Sequence, residues 1–260
     1  LASTRASGLK SQFGTMGKPY NAGTAAANAI EACGLARRGF TSAVDGLGGP
    51  QGFVPAHHPQ HDSSDAILPD RLKTSFMFAD VRHKLHACCH GTHAMIEGLR
   101  NLLAAHDITA QNLARLAIRV NPRWLKVCDI RAPRTGLEVK FSYVFLAAMV
   151  LHHIDTAAYQ SYDDSICGDA GLIATASKIA VIGDEAISDG AANITADTQA
   201  GAHHTTDFDL MAPIDLAVLG PRLVAKAAVL IGASRAEKIW ESMDDLDSKR
   251  AAQMAHYLQA

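Results

Sequence analysis

ARLAIRV, Ala114 to Val120, decides the kind of fold this chain adopts. Ala114, Leu116, Ile118 and Val120 alternate with Arg115, Ala117 and Arg119, and a period of two is that of a strand with one buried face. Upstream, Ala94, Met95, Leu99, Leu102 and Leu103 recur at helical spacing and predict an amphipathic helix from Thr92 to His106. Downstream of Gly136, LEVKFSYVFLAAMVLHH is apolar on nearly every face, so it reads as one helix buried all round. A weaker alternation, Ala192, Ile194, Ala196 and Thr198, predicts a second strand, with Lys178 to Ile182 as its partner across Gly183 to Gly190. The expectation is a small sheet with helices on one side.

Both flanks of this block read as helical. Toward the N-terminus, FGTMGKPYNAGTAAANAIEACGLARRGF (Phe13 to Phe40) has a glycine-rich approach, a predicted helix from Thr24, and a stop at Gly39 with Arg37 and Arg38 in the last turn, where cations complement the helix dipole. Thr41 is a candidate cap for a short helix, and GLGGPQG (Gly46 to Gly52) is a flexible turn. Toward the C-terminus, Pro221 suits the first turn of a helix running to Leu230 and ending at Gly232. Ser234 and Glu237 stand in capping-box spacing ahead of a second helix with Ile239, Trp240, Met243 and Leu246 inward. The fold class expected is mostly α with α+β: a helical domain (1–79 and 211–260) interrupted by a smaller α+β lid domain (80–210).

Composition narrows the function classes. The chain has 260 residues, 48% of them hydrophobic and 19% charged, which supports a sizeable core. The formal charge is -2 with no basic cluster, so nucleic acid is not an expected partner. The longest apolar run, Val139 to Leu151, is too short to span a bilayer and contains Lys140, so no membrane span is expected. Five cysteines without a regular framework indicate reduced thiols in a cytoplasmic compartment. LASTRASGLK at the start carries neither an initiator Met nor a signal-peptide pattern, so the chain reads as starting partway through a longer protein.

Two stretches concentrate chemistry. Lys18 stands by the start of a helix, where the positive dipole end favours an anionic ligand and acid/base use of the amine; on spacing alone the solvated loop lysine is the better reading. The run HKLHACCHGTH, His83 to His93, is the densest cluster of titratable and soft groups. Zinc usually takes ligands from two separated pairs, and no second pair exists elsewhere, so the run reads either as a loop entering a helix and offering N–H groups and imidazoles to a carboxylate, or as a packed cysteine pair with exposed histidines. His57, His58 and His61 lack a carboxylate or cysteine at fixed spacing and are not expected to hold metal. Cys89 with His86 or His90 raises covalent catalysis only by sequence proximity. Tyr143, in so apolar a segment, is either a satisfied core tyrosine or a proton donor, and on the residues alone the core reading prevails. No dinucleotide, P-loop or nucleophile-elbow pattern is present.

Three stretches together resemble the MmgE/PrpD family, which includes 2-methylcitrate dehydratase, cis-aconitate decarboxylase and iminodisuccinate epimerase: SGLKSQFGTMGKPYNAG (Ser7 to Gly23), KLHACCHGTHAMIEGL (Lys84 to Leu99) and RTGLEVKFSYVFLAAMVL (Arg134 to Leu151). The resemblance implies a cofactor-independent lyase or isomerase that removes a proton next to a carboxylate of a small di- or tricarboxylic acid, with no metal. It places Lys18 and Tyr143 in catalysis, with His90 as the lid's histidine, and Ser7, Asn21, Cys89 and His93 in substrate binding. Family members are longer at the front, so it further implies a C-terminal portion, a likeness to homodimers, and a separate chain able to supply the front helices. The alternative from a different class is a non-catalytic or partner-requiring truncated member.

Overall fold

The computed structural model describes residues 1–12, 15–58 and 81–243. The chain divides into two compact units, Leu1–Val81 and Arg82–Ala260. It is mostly α with an α+β region, as the sequence indicates.

In the first unit, α1 (Gly17–Arg37) is the main element, followed by the single turn α2 (Phe53–His57). The helix begins seven residues before Thr24, so Lys18 and Pro19 lie in its first turn and Gly23 in its body, correcting the expected turn. Pro19 is compatible because an N–H in the first turn has no intrahelical acceptor. The Thr15 hydroxyl accepts from the Gly17 N–H at 3.1 Å and shapes the entry. No helix is capped at Thr41; the backbone there is irregular until α2. Arg5 pairs with Glu31, and the Asn28 amide donates to the Arg5 carbonyl at 3.0 Å, tying the short 3-10 turn Ala2–Arg5 to α1. Ala32 is the only fully buried residue of α1.

The second unit is built on a four-stranded sheet in the order β2-β1-β3-β4: β1 (Leu113–Val120), β2 (Ile179–Gly183), β3 (Ala191–Thr198) and β4 (His203–Asp209). The expected partner of β3, the Lys178–Ile182 segment, instead pairs parallel with β1, Leu116 opposite Ile179 and Ile118 opposite Val181. β1 lies between them, antiparallel to β3, with Ile118 opposite Ile194. The neighbour on the other side of β3 is β4, a polar strand with little apolar alternation, closed by a turn with Gly201 at φ 87. A register irregularity between Leu113 and Arg115 turns Leu113 inward and leaves Ala114 exposed, which corrects the inward reading of Ala114.

Helices lie against one face of this sheet. α3 (His93–Ala105) follows its predicted span and packs on β3 and β4; Gly98 permits the approach, since a Cβ there would sit 2.5 Å from Ile194 Cδ1. The predicted helix after Gly136 is two helices, α5 (Gly136–Val139) and α6 (Tyr143–Leu151), because Ser142 leaves helical geometry and caps α6 by accepting from the Phe145 N–H at 3.2 Å. All nine residues of α6 are buried, and its hydrophobic contacts with α3 and β2 form the core. The connection from β1 to β2 also carries α4 (Leu125–Cys128) and α7 (Ala170–Ala176), the latter capped by Asp169.

After the sheet come α8 (Leu216–Ile231) and α9 (Ala233–Ser242), packed on each other. Asp215 caps α8 by accepting from the Ala217 N–H at 2.8 Å, so the helix starts upstream of Pro221 and holds it in its interior, not its first turn. α9 has Gly232 at its N-cap, and Ser234 with Glu237 forms no capping box. Ala236 and Ser242 are its buried residues and Ile239 is half-buried, while Trp240 and Met243 are 41% and 40% exposed; Leu246 is outside the described residues. Among the described residues, no helix is long and apolar enough to cross a membrane.

Candidate functional site

The loop leading into α3 is held at both ends of α6. The Ala87 N–H donates to the Thr156 carbonyl and the Cys89 N–H to the Lys140 carbonyl, both at 2.9 Å. A 3-10 turn, His90–Thr92, then delivers the chain to α3, and the Thr92 hydroxyl donates back to the Cys89 carbonyl at 2.8 Å. Gly91 permits this path: a Cβ would lie 2.3 Å from Trp124 Cε3, so the indole rests on the turn.

His93, at 1% exposure, has both ring nitrogens engaged. Nδ1–H donates to the Cys89 carbonyl at 3.0 Å, which leaves Nε2 to accept the His86 N–H at 3.2 Å. That assignment requires a neutral ring, and burial, with the nearby His86, His90 and Lys84, drives its pKa down to about 3. His86 is also buried and lowered, chiefly by desolvation. As a neutral imidazole it donates from Nε2 to Glu97 Oε1 at 2.8 Å, while Nδ1 accepts from the Thr156 hydroxyl at 2.7 Å.

Glu97 is the buried charge of this network. Desolvation opposes its ionisation, but hydrogen bonds from His86 and from Arg222 (Nη2, 2.7 Å) outweigh it and hold the pKa at about 2. Arg222 is its countercharge. Arg222→Met therefore leaves a buried carboxylate facing a neutral imidazole, and we expect it to cost about 2–3 kcal/mol at pH 8, below the fully buried range because Arg222 is partly exposed. His86 then becomes the available cation and its folded pKa rises. The rise is relative to the wild type, where burial holds His86 low, so as pH falls the folded variant takes up more proton than the folded wild type, and urea denaturation should show the Arg222→Met deficit shrinking from pH 8 to pH 5.5.

Three ammonium groups surround the same loop. Lys226 Nζ donates to the carbonyls of Lys84 and of His86 (3.3 Å for the latter), and its pKa is lowered by burial and by Lys84. Lys140 Nζ stands 4.9 and 5.0 Å from the ring centres of Tyr162 and Tyr159, and burial lowers it most, with Lys84 contributing in the same direction. Among the described residues, no carboxylate pairs with Lys84, Lys140 or Lys226. His90 lies 5.3 Å ring to ring from His93, is half-buried, and is lowered by desolvation and then by Lys84, so it is a neutral base at pH 7. Among the described residues its imidazole makes no hydrogen bond.

Of the residues singled out in the sequence, Tyr143, Cys89, His90 and His93 come together here. Tyr143 is fully buried, its phenol donates to the Gly91 carbonyl at 2.8 Å, and burial raises its pKa. Tyr143→Phe strands that carbonyl, and we expect a loss of about 1–2 kcal/mol in thermal denaturation. Cys88, raised to about 11 by burial, shares a 3.2 Å contact with the Thr92 hydroxyl, so it is no nucleophile at neutral pH. Lys18, Asn21 and Ser7 belong to the first unit: Lys18 exposed in the first turn of α1, Asn21 donating to the Leu9 carbonyl at 3.4 Å, and Ser7 in a small groove with Arg5 and Asn28. Among the described residues no cluster of His, Cys, Asp or Glu is arranged to hold a metal; His61 lies outside them.

The residues that sequence reading did not single out are Lys84, Lys140, Glu97, Arg222 and Lys226. Lys84, Glu97 and Lys140 lie inside the quoted motifs, and the signal that could have found them is a single charge at the edge of an otherwise uncharged run. Lys226 has no local signal, because its role comes from α8 folding back across the loop.

Residues 86–209 match the MmgE/PrpD C-terminal domain, a span that opens on the buried His86 and closes with β4. No curated protein matches the chain.

Proposed function

Residues 86–209 make this chain a member of the MmgE/PrpD family, and from that premise we propose that the second unit carries the carboxylate-binding loop of a lyase or isomerase acting on a small di- or tricarboxylic acid. The carrying observation is the set of ammonium groups that have no carboxylate partner among the described residues and stand beside a half-buried neutral imidazole. Lys84 and Lys140 take substrate carboxylates. His90 removes the proton next to one of them and becomes an imidazolium, and the ammonium groups stabilise the negative charge left on the carbon and its carboxylate. Dehydration, decarboxylation and epimerisation share this step. Lys18, which the resemblance aligns with the family's active-site lysine, is proposed as a further catalytic residue of the chain.

The reading is tested by exchange of the substrate's α-proton with deuterated solvent, followed by NMR on citrate-, aconitate- and iminodisuccinate-like acids. Exchange is expected with at least one of them, reduced about 100-fold or more in His90→Gln, as for loss of a general base. Because burial and Lys84 lower His90, the acid limb of its pH profile should lie below 6.5. Exchange that survives His90→Gln, or its absence with every acid, contradicts the proposal. A second reading, a member that keeps the fold without turnover, is favoured by the commitment of Tyr143 and His93 to structural hydrogen bonds. Lys18→Ala separates the two, since only an active chain has turnover to lose.

A further inference from the structure

α8 presents two cations one helical turn apart: Arg222 reaches Glu97 on α3, and Lys226 reaches the loop ahead of α3. Arg222 acts through Glu97, which holds the His86 ring. Lys226 acts directly, with one ammonium shared between the carbonyls of Lys84 and His86. These carbonyls precede His90 on an irregular segment with no strand or helix of its own to fix it. We propose that Arg222 and Lys226 are positioning residues that hold the Lys84–His90 loop in its carboxylate-binding shape; this rests on the functional reading above. Placing Lys226 near the Lys84 ammonium is electrostatically unfavourable in the empty site and becomes favourable once an anion lies on Lys84, so the two carbonyls supply what keeps Lys226 there beforehand.

The groups facing the His90 imidazole, among the described residues, are Lys84 on its own loop and the His93 ring on α3. Lys226 therefore reaches His90 only through the placement of Lys84. In ligand-free protein, Lys226→Met should raise the NMR titration midpoint of His90 toward 6.5, and Lys226→Arg should restore the wild-type midpoint. In calorimetry with tricarballylate, a non-reacting tricarboxylate, Lys226→Met should weaken binding about tenfold and Lys226→Arg should return most of it. A melting temperature that falls while the His90 midpoint stays at the wild-type value overturns the positioning role. A wild-type protein that does not bind tricarballylate overturns the carboxylate reading instead, and the His90 midpoint then decides the positioning role alone.

Discussion

Acidification from pH 7 toward pH 4 will destabilise the second unit far more than its modest net charge suggests. His93 titrates near 3 in the folded protein against 6.5 when unfolded, so between those values the unfolded chain binds the extra proton. Stability is then fully present above 6.5 and is lost as pH falls toward 3, by about 1.4 kcal/mol per pH unit and about 5 kcal/mol in all. The cause is geometric: protonating Nε2 forces it toward the His86 N–H it now accepts, and among the described residues no carboxylate pairs with the ring. His86 and His90 are shifted in the same direction, and Glu97, about 2 against 4.5, adds its own loss in the lowest part of the range. Urea denaturation followed by tryptophan fluorescence at half-unit intervals should show this slope. A free energy that stays level from pH 7 to pH 4.5 would contradict the neutral, doubly engaged His93.

Gly136→Ala is expected to cost about 4 kcal/mol or to prevent folding of the second unit. A Cβ there would stand 1.7 Å from the Tyr162 carbonyl oxygen and 2.5 Å from its carbon. These are backbone atoms, so no rotamer change relieves the overlap. The Gly136 N–H also donates to Asp164 Oδ1 at 2.7 Å, which fixes the two segments at that spacing, and separating them breaks this bond. The backbone at Gly136 is ordinary; the glycine is required by close approach and not by a positive φ. Gly168→Ala, where a Cβ meets nothing within 4 Å, is the matched control and should change stability by less than about 0.5 kcal/mol. Equal stability of the two variants in thermal denaturation would show that the close packing at Gly136 is wrong.

Much of this fold is legible because local pattern and burial agree. Leu116, Ile118 and Val120 alternate as strand residues and are buried as such, and the spacing of Met95, Leu99 and Leu102 gives α3. The sheet order was not legible, because strand pairing is set by the crossover through α4 to α7 and not by which strands are neighbours in the sequence. β4 escaped notice for a different reason: it alternates between exposed and half-buried positions, with histidines and threonines where a core strand has aliphatics. The break before α6 hides inside a continuous apolar run and is visible only as Ser142 acting as a cap.

The candidate site divides in the same way. The histidine and cysteine run marked the loop, since so many titratable groups in one segment stand out without any partner being known. What the run could not show is which imidazole remains available: His86 and His93 are consumed by Glu97, Thr156 and backbone groups, and only the three-dimensional bonds separate them from His90. The cations are a sharper case, because Lys84 and Lys226 are 142 positions apart and meet only when α8 lies across the loop.

Calorimetric titration of the purified chain with tricarballylate at low and moderate salt tests the central claim most directly. The account predicts saturable binding that weakens with salt and falls about tenfold in each of Lys84→Ala and Lys140→Ala, the two ammonium groups assigned to carboxylates. Absence of binding, or binding that the Lys84→Ala, Lys140→Ala double variant retains at wild-type affinity, would contradict it.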